Sequence, residues 1–215
     1  MLVERRTTVP LVGALLAVLA ACSGSAEDKT EASPGSKMKE ISTAAQLGTL
    51  CSDFKVGHPE AARYSGNGPH RVASFEGGYE TDSDVGPGWT LQDDVEFDGL
   101  PTTAPTTPVS EIELLACAEG KPGEDLQREC KYLEFGLQST PQRSYPLYSQ
   151  TYTYTVYELR TGRVVDTMTR DPRGSCPARI SSSGGGSGSP GKLYAQISRW
   201  TTESALKPVV EGTAR

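Results

Sequence analysis

Five cysteines, Cys22, Cys51, Cys117, Cys130 and Cys176, are the residues of this 215-residue chain with the widest chemistry. A thiolate can attack carbon, hold a metal or join a second sulfur. The number is odd, so pairing alone cannot account for all of them. There are two histidines, His58 before Pro59 and His70 after Pro69. A zinc centre needs three or four ligands, usually more closely spaced, so both read as structural or surface residues. Glu76 to Asp98 holds eight carboxylates and no Lys or Arg. Oxygen clusters suit hard cations, and Asp82, Asp84, Asp93 and Asp94 are weak candidates for calcium ligands. The EF-hand spacing fails, because Gly86 and Gly88 are misplaced and no closing Glu follows. A solvated acidic loop is the plainer reading, and we expect neither a metal nor a cofactor.

Tyr145, Tyr148, Tyr152, Tyr154 and Tyr157 form an aromatic run. Tyrosine stacks and hydrogen-bonds, so a sugar platform is conceivable, with strand packing the plainer reading. Nucleophile-elbow, S-x-x-K, H-E-x-x-H, phosphate-loop and dinucleotide signatures are all absent. No catalytic residue is nominated. The net charge of −6 disfavours a general nucleic-acid binder. Charge is uneven: residues 160–215 carry nine basic and four acidic side chains, enough to steer an anionic partner.

The first 22 residues bear on compartment. Arg5 and Arg6 precede an apolar run, Leu11 to Ala21, too short to span a bilayer. A basic start and a short apolar run read as a secretory signal. The run ends Leu19-Ala20-Ala21-Cys22, which resembles the lipobox of bacterial lipoproteins. The resemblance implies a lipid (diacylglyceryl, palmitate-type) on the Cys22 thiol and cleavage before it. It also implies a protein anchored to the cell membrane on its extracytoplasmic face. Export runs by the general secretory route or, through Arg5-Arg6, by the twin-arginine one. Loss of residues 1–21 removes Glu4, Arg5 and Arg6 and moves the charge to −7. Residues 22–40 then form the anchor and a disordered tether, almost without apolar side chains, reaching roughly 23 Å on average.

Residues 41–215 are expected to be one extracytoplasmic domain, mainly β. Either an antiparallel sandwich-like fold or an α+β fold with one or two short flanking helices fits. Lipid on Cys22 leaves four cysteines for two disulfides in an oxidising compartment. Glu111–Glu119 and Arg128–Phe135 both alternate, and Lys121-Pro122-Gly123-Glu124-Asp125 between them is turn-rich. A hairpin there brings Ile112 to Phe135, Leu114 to Leu133, Glu119 to Arg128 and Cys117 to Cys130. That register predicts Cys117–Cys130, with Cys51–Cys176 by exclusion. A second hairpin is predicted from Thr151–Arg160 and Arg163–Arg170 around Thr161-Gly162. His70–Phe75 and Leu193–Ile197 are shorter strands. Ser42–Cys51 is a short helix capped by Ser42, and Trp200–Glu211 another, its end limited by Pro208. Flexible loops are expected near 100–108, open to O-glycosylation within 102–107, and near 181–191.

Ala61–His70, Leu115–Glu119, Cys130–Tyr132, Thr155–Val165 and Cys176-Pro177 also resemble uncharacterised small lipoproteins of high-GC Gram-positive bacteria. That resemblance implies structure but no activity. The function expected is a non-catalytic binding or envelope-organising module, its partners the membrane, through Cys22, and an envelope protein or polymer. The alternative is a small envelope hydrolase that cuts sugar or peptidoglycan with carboxylates of the acidic stretch.

Overall fold

The run Leu114-Leu115-Ala116-Cys117-Ala118 is apolar at every position, so a strand formed there needs cover on both faces. A computed structural model shows that arrangement. It describes residues 40–77, 88–133, 142–172, 174–176 and 192–214, all within one compact unit, Ser33–Arg215. The chain is mainly β with a mixed sheet, which realises the α+β alternative. Its strands are β1 (Val72–Gly77), β2 (Thr90–Leu91), β3 (Leu114–Leu133), β4 (Gln142–Glu158), β5 (Val164–Arg170) and β6 (Leu193–Tyr194). They lie in the order β2-β1-β3-β4-β5, with β6 on β4. Pairings β1–β3 and β4–β6 are parallel and the rest antiparallel.

Two layers cover the sheet. On one face a 3-10 helix (Ala44–Leu50) and the segment after it bring Leu47, Leu50, Phe54 and Ala61 onto Ala73, Phe75, Leu115 and Cys117. On the other, helix α1 (Arg199–Val210) packs Ala205, Leu206, Val209 and Val210 on Leu114, Ala116, Ala118, Tyr152, Tyr154 and Val156. Val109 and Ile112 belong to the first cluster. Alternation on β3 thus sorts neighbouring residues into different cores.

The predicted second hairpin is present as β4 and β5. Gly162 takes the left-handed backbone its turn requires (φ 76°). The short helix at residue 42 begins one residue later than expected, as a 3-10 helix with Thr43 at its cap position. The Gln46 side chain accepts from the Ser42 and Thr43 amides. α1 starts at Arg199, and Ser198 Oγ accepts from the Thr201 amide as a cap. Pro208 sits inside its last turn.

The first hairpin does not form. Residues 114–133 run on as one strand, paired with β4 throughout. The turn-rich stretch is absorbed as irregularities of pairing between Pro122 and Leu126 and between Leu126 and Arg128. Cys117 and Cys130, thirteen positions apart on one strand, are roughly 40 Å apart along it, far beyond disulfide reach. The observed bonds are Cys51–Cys117 and Cys130–Cys176, with Cα separations of 5.5 and 5.6 Å. This corrects the predicted Cys117–Cys130 and Cys51–Cys176. The rival ladder explains it: β4 offers Thr155 opposite Cys117 and Tyr145 opposite Cys130, and the apolar first core pulls Cys51 onto Cys117.

The Pro/Thr stretch near 100–108 is bonded to the body. Thr103 Oγ1 donates to the Val72 carbonyl (2.8 Å), and the Thr107 and Pro105 carbonyls accept from the Ala44 and Ala45 amides. Of the threonines there, Thr103 and Thr107 are buried and Thr102 and Thr106 are exposed. The loop near 181–191 lies outside the described residues.

Candidate functional site

Asp82 and Asp84 also lie outside the described residues. Asp93 and Asp94 are exposed, and among the described residues no group of three or more His, Cys, Asp or Glu is placed to hold a metal. The five tyrosines are not a platform. Tyr152 and Tyr154 are fully buried, because β4 turns them beneath α1. Tyr157 meets Phe54 edge-on at 5.1 Å, Tyr145 meets Tyr132 at 6.0 Å, and Tyr148 lies beside Tyr194 at 6.2 Å.

Tyr154 joins the helix to the sheet, sharing a hydrogen bond with Thr202 Oγ1 (3.0 Å). Burial pushes its hydroxyl up to about 12. The Thr202 bond and the Arg170 charge pull the other way, and the Glu76 charge adds to the rise. Next to it, Tyr152 donates to Glu76 Oε1 (2.9 Å), Gln92 donates to Glu76 Oε2 (3.3 Å), and Ser74 donates to Gln92 (2.8 Å). This chain of bonds satisfies a polar strip on the sheet.

Both histidines are buried. His58 donates from Nε2 to the Ile41 carbonyl (2.8 Å) and so ties the segment before the 3-10 helix to the body. His70 donates from Nδ1 to Glu113 Oε2 (2.7 Å). A carboxylate-oriented imidazole is half of a general-base arrangement. Here the imidazole side chain is only 2% exposed, and the Tyr64 ring packs edge-on at 4.5 Å. The geometry suits a clamp: the His70 amide also donates to the Val210 carbonyl and the Gly68 amide to the Gly212 carbonyl, holding the end of α1.

Two surface hollows flank the start of α1. One, of about 610 Å³, gathers Glu96, Asp98, Arg199 and Glu203. Its cation is already engaged: Arg199 pairs with Glu203 (3.3 Å) and Glu96 (3.8 Å), and the Glu96 amide donates to Glu203 (3.0 Å). The other, of about 490 Å³, lies between the end of β5 and α1 and holds Arg170, Asp171, Trp200, Thr201 and Ser204. Trp200 is 74% exposed, the most open of the large apolar side chains among the described residues. Arg170 donates to its neighbour's Thr169 carbonyl (2.9 Å) and has no carboxylate partner among the described residues. Asp171 Oδ1 accepts from Thr151 Oγ1 (2.6 Å) and has no cation partner there.

The sequence carries one signal of this second hollow, which the motif patterns above do not include. The buried positions of α1 are 202, 205, 206, 209 and 210, spaced three and four apart. Trp200 falls out of phase with them, on the outer face. Arg170 and Asp171 give no such signal, since only the packing of α1 beside β5 makes them its neighbours.

No family model, curated protein or solved structure matches the chain. Among the described residues no helix is long and apolar enough to cross a membrane.

Proposed function

We propose that this chain is an extracytoplasmic lipoprotein, held to the cell membrane by lipid on Cys22, whose folded part is a non-catalytic binding or envelope-organising module. One observation carries the reading: each of the other four cysteines is paired in a disulfide. Cys22, in Leu19-Ala20-Ala21-Cys22, is thereby left for other chemistry. Two disulfides in a chain of this size also favour an oxidising compartment over a reducing cytosol. Two or three acyl chains would anchor it firmly, where one alone gives marginal binding.

The test is metabolic labelling with a palmitate analogue in a Gram-positive bacterium expressing the full chain. The expected result is label on the protein and none on the Cys22→Ala variant. Label that persists on Cys22→Ala overturns the reading. The hydrolase reading draws support from the gathering of Glu96, Asp98 and Glu203 in one hollow. It requires the purified chain to release soluble fragments from cell-wall material and to lose that activity on Glu203→Gln.

A further inference from the structure

We propose that the hollow between β5 and α1 binds a pyranose unit of a neutral envelope glycan, with Trp200 as the stacking surface. The proposal rests on the binding-module reading but not on the lipid anchor.

Trp200 is where the chemistry starts. Tryptophan is among the more buried residue types on average, because its large ring gains so much from leaving water. Here the ring stays 74% exposed at the rim of a concavity. The out-of-phase position on α1 keeps it there, since the helix cannot turn it inward without exposing Leu206 and Val209. A sugar ring presents a face of C–H groups, which an indole covers well, and a rim of hydroxyls that must keep hydrogen-bond partners.

The rim partners are present and keep hydrogen-bonding capacity. Arg170 spends one N–H on the Thr169 carbonyl and has no carboxylate opposite among the described residues, and Asp171 accepts from Thr151 at Oδ1 and has no cation opposite among them. The two are adjacent in sequence and line the same hollow, yet they form no ion pair with each other. Donor and acceptor thus stand side by side next to an apolar face. Ser204, exposed one helical turn from Trp200, adds a hydroxyl on the same side.

The charge pattern selects among ligand classes. One positive and one negative group nearly cancel, so a phosphate or polyanion gains little, and Asp171 opposes an anionic lipid surface. A neutral polyol uses both groups at once. The neighbouring hollow makes the contrast: there Arg199 is already consumed by Glu96 and Glu203. A volume of about 490 Å³ falls within the usual range of small-ligand sites.

The experiment is calorimetric and fluorescence titration of the full chain with chitotetraose, mannotetraose, maltotetraose and galactotetraose. Binding of at least one glycan is expected, with a change in tryptophan emission. Trp200→Ala should weaken it about tenfold or more, as for an aromatic anchor at the centre of a contact. Trp200→Tyr should keep part of it, and Asp171→Asn should weaken it severalfold with the fold unchanged by circular dichroism. Failure of all four glycans to bind, or binding that survives Trp200→Ala, overturns the proposal. So does Trp200-dependent binding of the Cys22→Ala full chain to phosphatidylcholine–phosphatidylglycerol vesicles, which would make the surface a lipid contact. Loss of palmitate labelling would sink the anchor and leave this titration untouched, and an empty titration would leave the anchor standing.

Discussion

β3 and β4 form one ladder whose two ends are held together differently. At the inner end, Leu114–Ala118 lies opposite Tyr154–Glu158. Both faces there are buried, under the 3-10 helix and α1. At the outer end, residues 124–129 are all exposed, and among the described residues the apolar contacts reduce to Cys130, Leu147 and Leu193 with Tyr132 and Tyr145 beside them. Each end carries one disulfide: Cys51–Cys117 inside, Cys130–Cys176 outside. The inner end has a core and a bond, whereas among the described residues the outer has little more than the bond, the short β6 and the Gly174 amide on Gln127 (2.6 Å). A sheet can therefore extend past its core where a covalent link and a two-residue partner strand replace apolar burial.

The largest effect expected is from the disulfides. Their sequence separations of 66 and 46 residues correspond to about 4 kcal/mol each in the chain-entropy model. Global stability will not tell the two ends apart, but hydrogen exchange will. Removing Cys130 and Cys176 together should speed exchange at 124–132 and 143–149 while 114–120 stays protected. Removing Cys51 and Cys117 should raise exchange at both ends together. Equal deprotection in both variants would break the comparison.

Leu115→Ala, at the fully buried inner end, should cost about 3 kcal/mol, read as a lower urea midpoint. A smaller effect is a pH dependence that the inner end contributes. The Tyr154 hydroxyl is raised in the folded chain to about 12, above its unfolded value of about 10. Its stabilising contribution is therefore complete below pH 10 and is lost as pH rises from 10 to 12. The expected fall is about 2–3 kcal/mol, absent from the alkaline slope of Tyr154→Phe in urea titrations. The smallest effect is Leu126→Ala. Leu126 lies on the outer ladder and is 60% exposed, so the cost should be about 0.5 kcal/mol or less. A midpoint shift as large as that of Leu115→Ala would show a cover on the outer end that the ladder does not reveal.

The edge of β5 gives a further contrast. Two of its backbone groups are occupied by its own side chains: the Thr167 amide donates to Asp166 Oδ1 (2.8 Å), and the Thr169 carbonyl accepts from Arg170 (2.9 Å). Such local bonds blunt an open strand against pairing with another chain. They also hold Arg170 at the rim where Trp200 lies.

Local patterns in this chain were legible wherever neighbours in sequence decide the outcome. The β4–β5 hairpin rests on Thr161-Gly162 and on the alternation of Thr with Tyr and Val. The two flanking helices rest on Leu47 with Leu50 and on the α1 stripe. The failure at Cys117 was different in kind. A hairpin closing on itself and a long strand paired with β4 both satisfy the alternation of residues 111–135, and Pro122-Gly123 permits a turn or a bulge. Only the competition for partners decides, and it is won by the seventeen-residue β4, which covers both halves of β3.

The amino-acid sequence by itself determined the β-rich class, the second hairpin, the flanking helices and the pairing of four cysteines into two bonds. These follow from short-range periodicity and from cysteine number. The tertiary structure alone decided which cysteines pair, that the tyrosines of β4 are core, and that Arg170, Asp171 and Trp200 share a hollow. Each of these depends on residues brought together across about 30 to 65 positions of chain, where only packing sets the distance.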